Sequence, residues 1–224
     1  FNRYGDVVRF QTQFNTFFLF NHPSHVRDIL NCQNYVRSPL IKTLLGDGLL
    51  AVDGPHWERQ RRLMLPEFQA SRIDRMVETF ARVAANRAAA WRDEVSANGC
   101  INLSREMDRI ALSNISQSLF GVELDDCFLD AFDFVMREIG AMGNAAVFGL
   151  PLIRRSNVNR RFQEAMRVVE GAVHSVLESG QLSGSCEAKL LRVLREARHG
   201  ENKLPLTDRQ IRDEIMTMIT AGHE

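Results

Sequence analysis

An indole and a guanidinium four residues apart, Trp57 and Arg61, are the pair in this chain best equipped for chemistry. They lie in the segment from Gly46 to Phe68, GDGLLAVDGPHWERQRRLMLPEF. Pro55 suits the start of a helix, because its missing N–H is no loss there and its φ is already near helical. Pro66 closes that helix. At about 100° per residue, Arg61 falls roughly 40° around the helix from Trp57, and Arg59 roughly 200°. Trp57 and Arg61 therefore share a face. Their N–H groups can donate together to one carboxylate, beside an aromatic plane that keeps it dry. His56 is placed to reach the same anion. Arg59, Arg61 and Arg62 also read as a solvated basic face, or as a dock for an acidic partner.

A second segment with chemical content is Thr217 to Glu224, TMITAGHE. A glycine inside a helix costs about 1 kcal/mol relative to alanine, so Ala221 and Gly222 need a reason. Small side chains leave room for a ligand against the backbone, and Glu224 next to that gap sets an acid where protons could be delivered. The same His223-Glu224 could instead open an H-E-x-x-H zinc helix, which requires a histidine three positions after the glutamate. His22 and His25 have i, i+3 spacing but no acid or cysteine placed to complete a metal site.

The elements that must position these residues are mostly helical. Val7 to Phe10 and Phe17 to Phe20 are β-prone runs joined by a polar link, which predicts a hairpin. Pro23 and Ser24 start a short helix to about Leu30. Residues 31 to 54 read as a long irregular loop with a helical turn near Ile41 to Leu45. Helical periodicity then covers Ile73 to Val95, Leu103 to Phe120, Asp125 to about Phe148, Arg160 to Leu177, Ala188 to Ala197, and Thr207 onward; Cys100 to Asn102 reads as a strand. Thr207 and Gln210 have the spacing of a capping box, and Ile211, Ile215, Met218, Ile219 and Gly222 share one face. Met64, Met76, Met107, Met136 and Met166 fall at apolar helical positions and read as core. No repeat or linker divides the chain, so residues 1–224 read as a single domain.

Composition narrows the function classes. With 28 basic and 28 acidic residues the formal charge is zero, which provides no general field for nucleic acid or an anionic membrane. Cys32, Cys100, Cys127 and Cys186 are scattered without metal-ligand spacing and read as reduced, mostly buried thiols of a cytoplasmic protein. An anchor upstream of Phe1 stays open, because the chain does not begin with methionine.

The string Gly46, Gly48, Leu49, Asp53, Gly54, Trp57, Arg61, Arg62, Pro66 and Phe68 resembles, in order and spacing, the segment leading into the C helix of the cytochrome P450 family. Ala221, Gly222 and Glu224 resemble the centre of that family's I helix, Tyr4 to Val8 its first small-sheet strand, and Asn21-His22-Pro23 the start of its B helix. The resemblance implies a mainly α fold with a small β-sheet, here an incomplete cytochrome P450 type fold. It implies a heme (iron protoporphyrin IX) held at a propionate by Trp57 and Arg61, with Ala221 and Gly222 flanking the dioxygen site. Glu224, with a following threonine, would relay protons. The implied reaction is insertion of one oxygen atom from O2 into a small apolar substrate. Electrons come from NAD(P)H through a ferredoxin, a flavodoxin-like protein or a reductase. The loop 33 to 50, the stretch Phe132 to Phe148 and the start of the last helix would roof the substrate pocket. One departure stands out: no cysteine here fits the family's Phe-x-x-Gly-x-Arg-x-Cys-x-Gly loop. The chain is therefore expected to be an N-terminal fragment ending inside the I helix and inactive by itself. A helical scaffold would account for the periodicity but not for residues 46 to 68.

Overall fold

Two β-prone runs on either side of a polar link pair as the antiparallel hairpin β1 (Val7–Gln11) and β2 (Thr16–Phe20), in a register that sets Val7 opposite Phe20 and Phe10 opposite Phe17. The Phe10 and Phe17 rings stack at 5.1 Å, a cross-strand pair of the kind that holds a two-stranded ribbon. The computed structural model describes residues 3–12, 15–32, 35–38, 41–148, 156–182, 189–199 and 204–223. Glu224 and Cys186 lie outside the described residues.

Helix α1 (Pro23–Asn31) is capped by the His22 ring, which accepts the Ser24 N–H at 3.2 Å. Among the described residues no group of three or more His, Cys, Asp or Glu is arranged for a metal ion. One turn, α2 (Lys42–Leu45), interrupts the long loop where the sequence predicts it. Helix α3 (Gly54–Met64) carries Trp57 and Arg61, and Pro66 falls in the 3-10 turn Leu65–Phe68 that ends it. The expected long helix from Ile73 begins only at Val77. The short α4 (Ala70–Ile73) and a tighter 3-10 turn, Asp74–Met76, precede α5 (Val77–Asn98). The expected strand at Cys100 to Asn102 is absent, because Asn102 is spent as the cap of α6 (Leu103–Ile115), its side chain accepting the Arg105 N–H at 3.3 Å. A π turn, Ser116–Phe120, follows. Then come α7 (Asp126–Phe148), α8 (Ser156–Leu182), α9 (Lys189–Glu196), a short ladder of β3 (Arg198–His199) with β4 (Leu204–Pro205), and α10 (Asp208–Gly222). No helix among the described residues is long and apolar enough to cross a membrane.

The capping box opens α10 as expected: Thr207 N–H donates to Gln210 Oε1 at 2.9 Å, and Gln210 N–H to Thr207 Oγ1 at 3.3 Å. Its burial exceeds the single stripe read from sequence, since Asp213, Glu214, Met216 and Thr217 are buried along with Ile211, Ile215 and Ile219. The helix therefore runs through the core, against α2, α6, α8 and α9. Phe128 and Phe132 stack at 5.5 Å in that core, so the first turns of the expected pocket roof are interior packing. Of the methionines read as core, Met64 is buried but Met107 is exposed. Cys100 and Cys127 are exposed as well, which corrects the expectation of mostly buried thiols.

A buried carboxylate clamps α5, α6 and α7. Glu106 Oε2 accepts Arg87 Nε at 3.0 Å and Trp91 Nε1 at 2.6 Å, and Glu106 also pairs with Arg109. Arg109 in turn reaches Asp126 at 2.6 Å. Burial alone would raise the Glu106 pKa, but the donors from Arg87, Trp91 and Arg109 outweigh it and hold the carboxyl below its usual range.

Candidate functional site

The helical phase read from spacing holds in three dimensions. The Arg61 guanidinium lies over the Trp57 ring, 5.1 Å from its centroid, while Arg59 is exposed elsewhere on α3. A second guanidinium, Arg37, lies 5.8 Å from the same ring. It comes from the long loop and is held there by α3's lead-in: its backbone N–H donates to Asp53 Oδ2 at 3.0 Å, and its side chain bonds the Val52 carbonyl and the Asp53 carboxylate. Trp57 is half-buried and Arg61 exposed. Among the described residues, neither the Trp57 indole N–H nor the Arg61 guanidinium meets a carboxylate. His56 lines an open cavity of about 410 Å³ with Arg37, Lys42, Asp47 and Asp53.

The same donor combination already binds a carboxylate elsewhere in the chain. Arg87 and Trp91, also four residues apart on a helix, converge on one oxygen of Glu106. Trp57 and Arg61, a tryptophan–arginine bracket, carry the same two donor types at the same spacing, without a carboxylate partner among the described residues. A heme propionate suits that donor set: it is an anion that takes an indole N–H and a guanidinium fork together.

The loop that carries the bracket is fastened to α10. Asp47 N–H donates to Asp213 Oδ2 at 2.9 Å, Leu49 N–H to Glu214 Oε2 at 3.1 Å, and Gln60 Nε2 to the Asp47 carbonyl at 2.9 Å. Arg212 adds a bond to the Leu44 carbonyl at 3.2 Å and pairs with Asp213 at 2.9 Å. Gly46 and Gly48 make this approach possible. A Cβ at Gly46 would sit 2.3 Å from the Asp213 carboxylate, and one at Gly48 would sit 2.4 Å from the Asp213 backbone oxygen. The glycines in the motif thus serve docking of the loop on α10. Burial and the neighbouring Asp213 push the Glu214 pKa up to about 7, against the opposing pull of the Leu49 N–H.

At the other end of α10 the two small residues part company. Ala221 is exposed, but the space a Cβ at Gly222 would need is taken by Ile115 of α6, 2.1 Å away. Gly222 is therefore required for the close crossing of α6 and α10, and only Ala221 leaves open room. His223 is buried edge-on against Phe132, ring centroids 4.9 Å apart. Among the described residues no hydrogen bond or ring contact joins the Trp57 face directly to Ala221 or Gly222. Sequence reasoning missed Arg37, Asp213 and Glu214. The only advance signal was the pair of adjacent acids, Asp213 and Glu214, directly before the mostly apolar stretch Ile215 to Ile219.

The family model for cytochrome P450 matches residues 1–224. Cyclooctatin synthase of Streptomyces melanosporofaciens is 27% identical over 236 residues, covering 99% of this chain and 49% of that protein. The same organism's cyclooctat-9-en-7-ol 5-monooxygenase is 23% identical over 228 residues, again 99% and 49%. The chain thus spans about half the length of the relatives it matches. A crystal structure of the cytochrome P450DA heme domain superposes with a TM-score of 0.78 over 97% of this chain and 49% of that one, at 22% identity, and so shares the fold. A loop fastened by Gly46 and Gly48, a tryptophan–arginine bracket and a match along its full length together show that this chain belongs to the cytochrome P450 family.

Proposed function

We propose that the whole protein is a heme-dependent monooxygenase that inserts one oxygen atom from O2 into an apolar organic substrate, with NAD(P)H as the electron source through a redox partner. The observation that carries this reading is the Trp57–Arg61 bracket at 5.1 Å, flanked by Arg37 and lacking a carboxylate among the described residues. The relative named cyclooctat-9-en-7-ol 5-monooxygenase supports the reaction class.

When bound, heme would supply reductive activation of O2, with a cysteine thiolate on its iron favouring O–O cleavage. The residues of this chain provide the setting. Trp57, Arg61 and Arg37 donate to a propionate, and Val52 with Asp53 fixes Arg37 in advance, so less ordering is left for binding. Ala221 keeps bulk away from the α10 backbone on the dioxygen side. Gly222 holds α10 against α6, and Glu224 with a following hydroxyl residue passes protons. Cys32 caps α1, Cys100 precedes α6 and Cys127 lies in the first turn of α7, so none of them belongs to a heme-ligand loop. No cysteine of the sequence, Cys186 included, stands in a Phe-x-x-Gly-x-Arg-x-Cys-x-Gly segment, so the thiolate comes from outside these residues, and residues 1–224 alone form no thiolate heme. Arg59 and Arg62 are exposed on α3 for a ferredoxin, flavodoxin-like or reductase donor.

The test is the absorption spectrum of the whole protein, reduced and treated with carbon monoxide. The red-shifted band of a thiolate-ligated heme is expected, together with one labelled atom in product formed under ¹⁸O2. A heme-free protein, or a band at the position of a histidine-ligated heme, overturns the reading.

A further inference from the structure

Gln60 and Glu214 leave a buried loose end. Both are buried, at 7% and 2% exposure, and each has an Oε1 with no hydrogen-bond partner. Both line one cavity between α3, α9 and the start of α10, closed otherwise by Leu63, Met64, Leu194, Leu206 and Gln210. Its volume of about 10 Å³ is close to what one water molecule needs. Two residues with unpartnered acceptor oxygens thus line one small space, and a proton on Glu214 supplies the donor it lacks.

The other Glu214 oxygen holds Leu49 N–H at 3.1 Å, and the loop runs on from Leu49 through the buried Ala51 and Val52 to Asp53. Val52 and Asp53 are the groups that hold Arg37 over Trp57. A continuous chain of contacts thus leads from Glu214 to the tryptophan–arginine bracket. We infer that Glu214 is a positioning residue, a proton-operated latch that holds the 46–53 loop on α10 in its neutral form and releases it when ionised.

The surroundings favour the neutral form. Among the described residues the cavity wall carries no charged side chain besides Glu214, and the adjacent Asp213 carboxylate is shared between Asp47 N–H and Arg212. Arg212 is engaged by Asp213, Glu170 and the Leu44 carbonyl, and the Asp47 carboxylate is engaged by Lys42 at 3.1 Å. On α9, Arg195 beside Leu194 is bonded to the Leu177 carbonyl, so among the described residues no ion pair to Glu214 is formed. Releasing the loop lets water reach the carboxylate and returns its pKa toward the ordinary 4.5, so rising pH favours release. With about 7 in the docked state, docking weakens about ten-fold between pH 6 and pH 8.

The measurement is hydrogen exchange at the Leu49 amide in the whole protein, corrected for the intrinsic exchange rate at each pH. Wild-type protection should fall about ten-fold from pH 6 to pH 8. In Glu214→Gln the amide oxygen still accepts Leu49 N–H and the amide nitrogen donates into the cavity, so protection should stay high and flat. Glu214→Ala should be poorly protected at both pH values. Flat wild-type protection, or a Glu214→Gln profile parallel to wild type, overturns the latch. Only the last link rests on the heme reading: heme loss should quicken over the same interval in wild type and not in Glu214→Gln. A flat wild-type rate overturns the positioning role. A whole protein that takes up no heme overturns the heme reading instead, and Leu49 protection still reports the latch.

Discussion

Replacing Gly48 with alanine should unfasten the loop that carries the tryptophan–arginine bracket. The new Cβ would lie 2.2 Å from Thr217 Oγ1 and 2.4 Å from the Asp213 backbone oxygen. Thr217 can rotate, but the Asp213 carbonyl belongs to the buried middle of α10 and cannot move, so the loop must retreat by about an ångström. Overpacking of this kind costs about 1–3 kcal/mol. The retreat also breaks the bonds from Asp47 N–H (2.9 Å) and Leu49 N–H (3.1 Å) to buried carboxyl groups. A hydrogen bond to the charged Asp213 contributes about 1.5–3 kcal/mol and one to the neutral Glu214 carboxyl about 0.5–1.5 kcal/mol, so the total loss is about 3 kcal/mol even at the low end. Against a usual stability of about 5–15 kcal/mol, this leaves a marginal fold. Urea unfolding followed by far-ultraviolet circular dichroism measures it. Gly140→Ala, on α7 with nothing within 4 Å of the added methyl, is the control and should gain about 0.5–1 kcal/mol. A Gly48→Ala protein within about 1 kcal/mol of wild type would refute the close-approach argument.

Gly222→Ala should cost about 1–3 kcal/mol through its collision with Ile115, and adding Ile115→Ala should recover part of that loss; simple additivity in thermal melts would show that the two do not share the space. Glu106→Gln should destabilise by about 3 kcal/mol at pH 7, because Arg87 and Arg109 lose their anion. The Glu106 pKa is lower folded than unfolded, so its contribution is complete above the unfolded value of about 4.5 and lost as pH falls through the folded value. The gap between wild type and Glu106→Gln in urea midpoint should accordingly close on acidification. In the whole protein, Arg61→Ala should lower heme content after gel filtration. Trp57→Ala should do so by a similar or smaller amount, Arg37→Ala also, and Arg59→Ala not at all. Equal losses from all four would mean that the bracket's geometry does not matter.

Features set by neighbours along the chain were legible from the sequence alone. The hairpin follows from two β-prone runs, the capping box of α10 from Thr207 and Gln210, and the shared face of Trp57 and Arg61 from the 3.6-residue turn of a helix that Pro55 starts. The family string through Gly46, Gly48, Trp57 and Arg61 added the expected fold and the propionate role. What those residues rest on was decided only in three dimensions. Arg37 reaches Trp57 because Asp53, 16 positions away, holds it. Gly46 and Gly48 are glycines because Asp213 and Thr217, far along the chain on α10, leave no room for a Cβ, and Gly222 is one because of Ile115. A one-dimensional pattern records which way a side chain points from its own helix. It does not record what arrives from the opposite side, since close approach, burial and the pKa of Glu214 depend on which distant surfaces the folded core brings into contact.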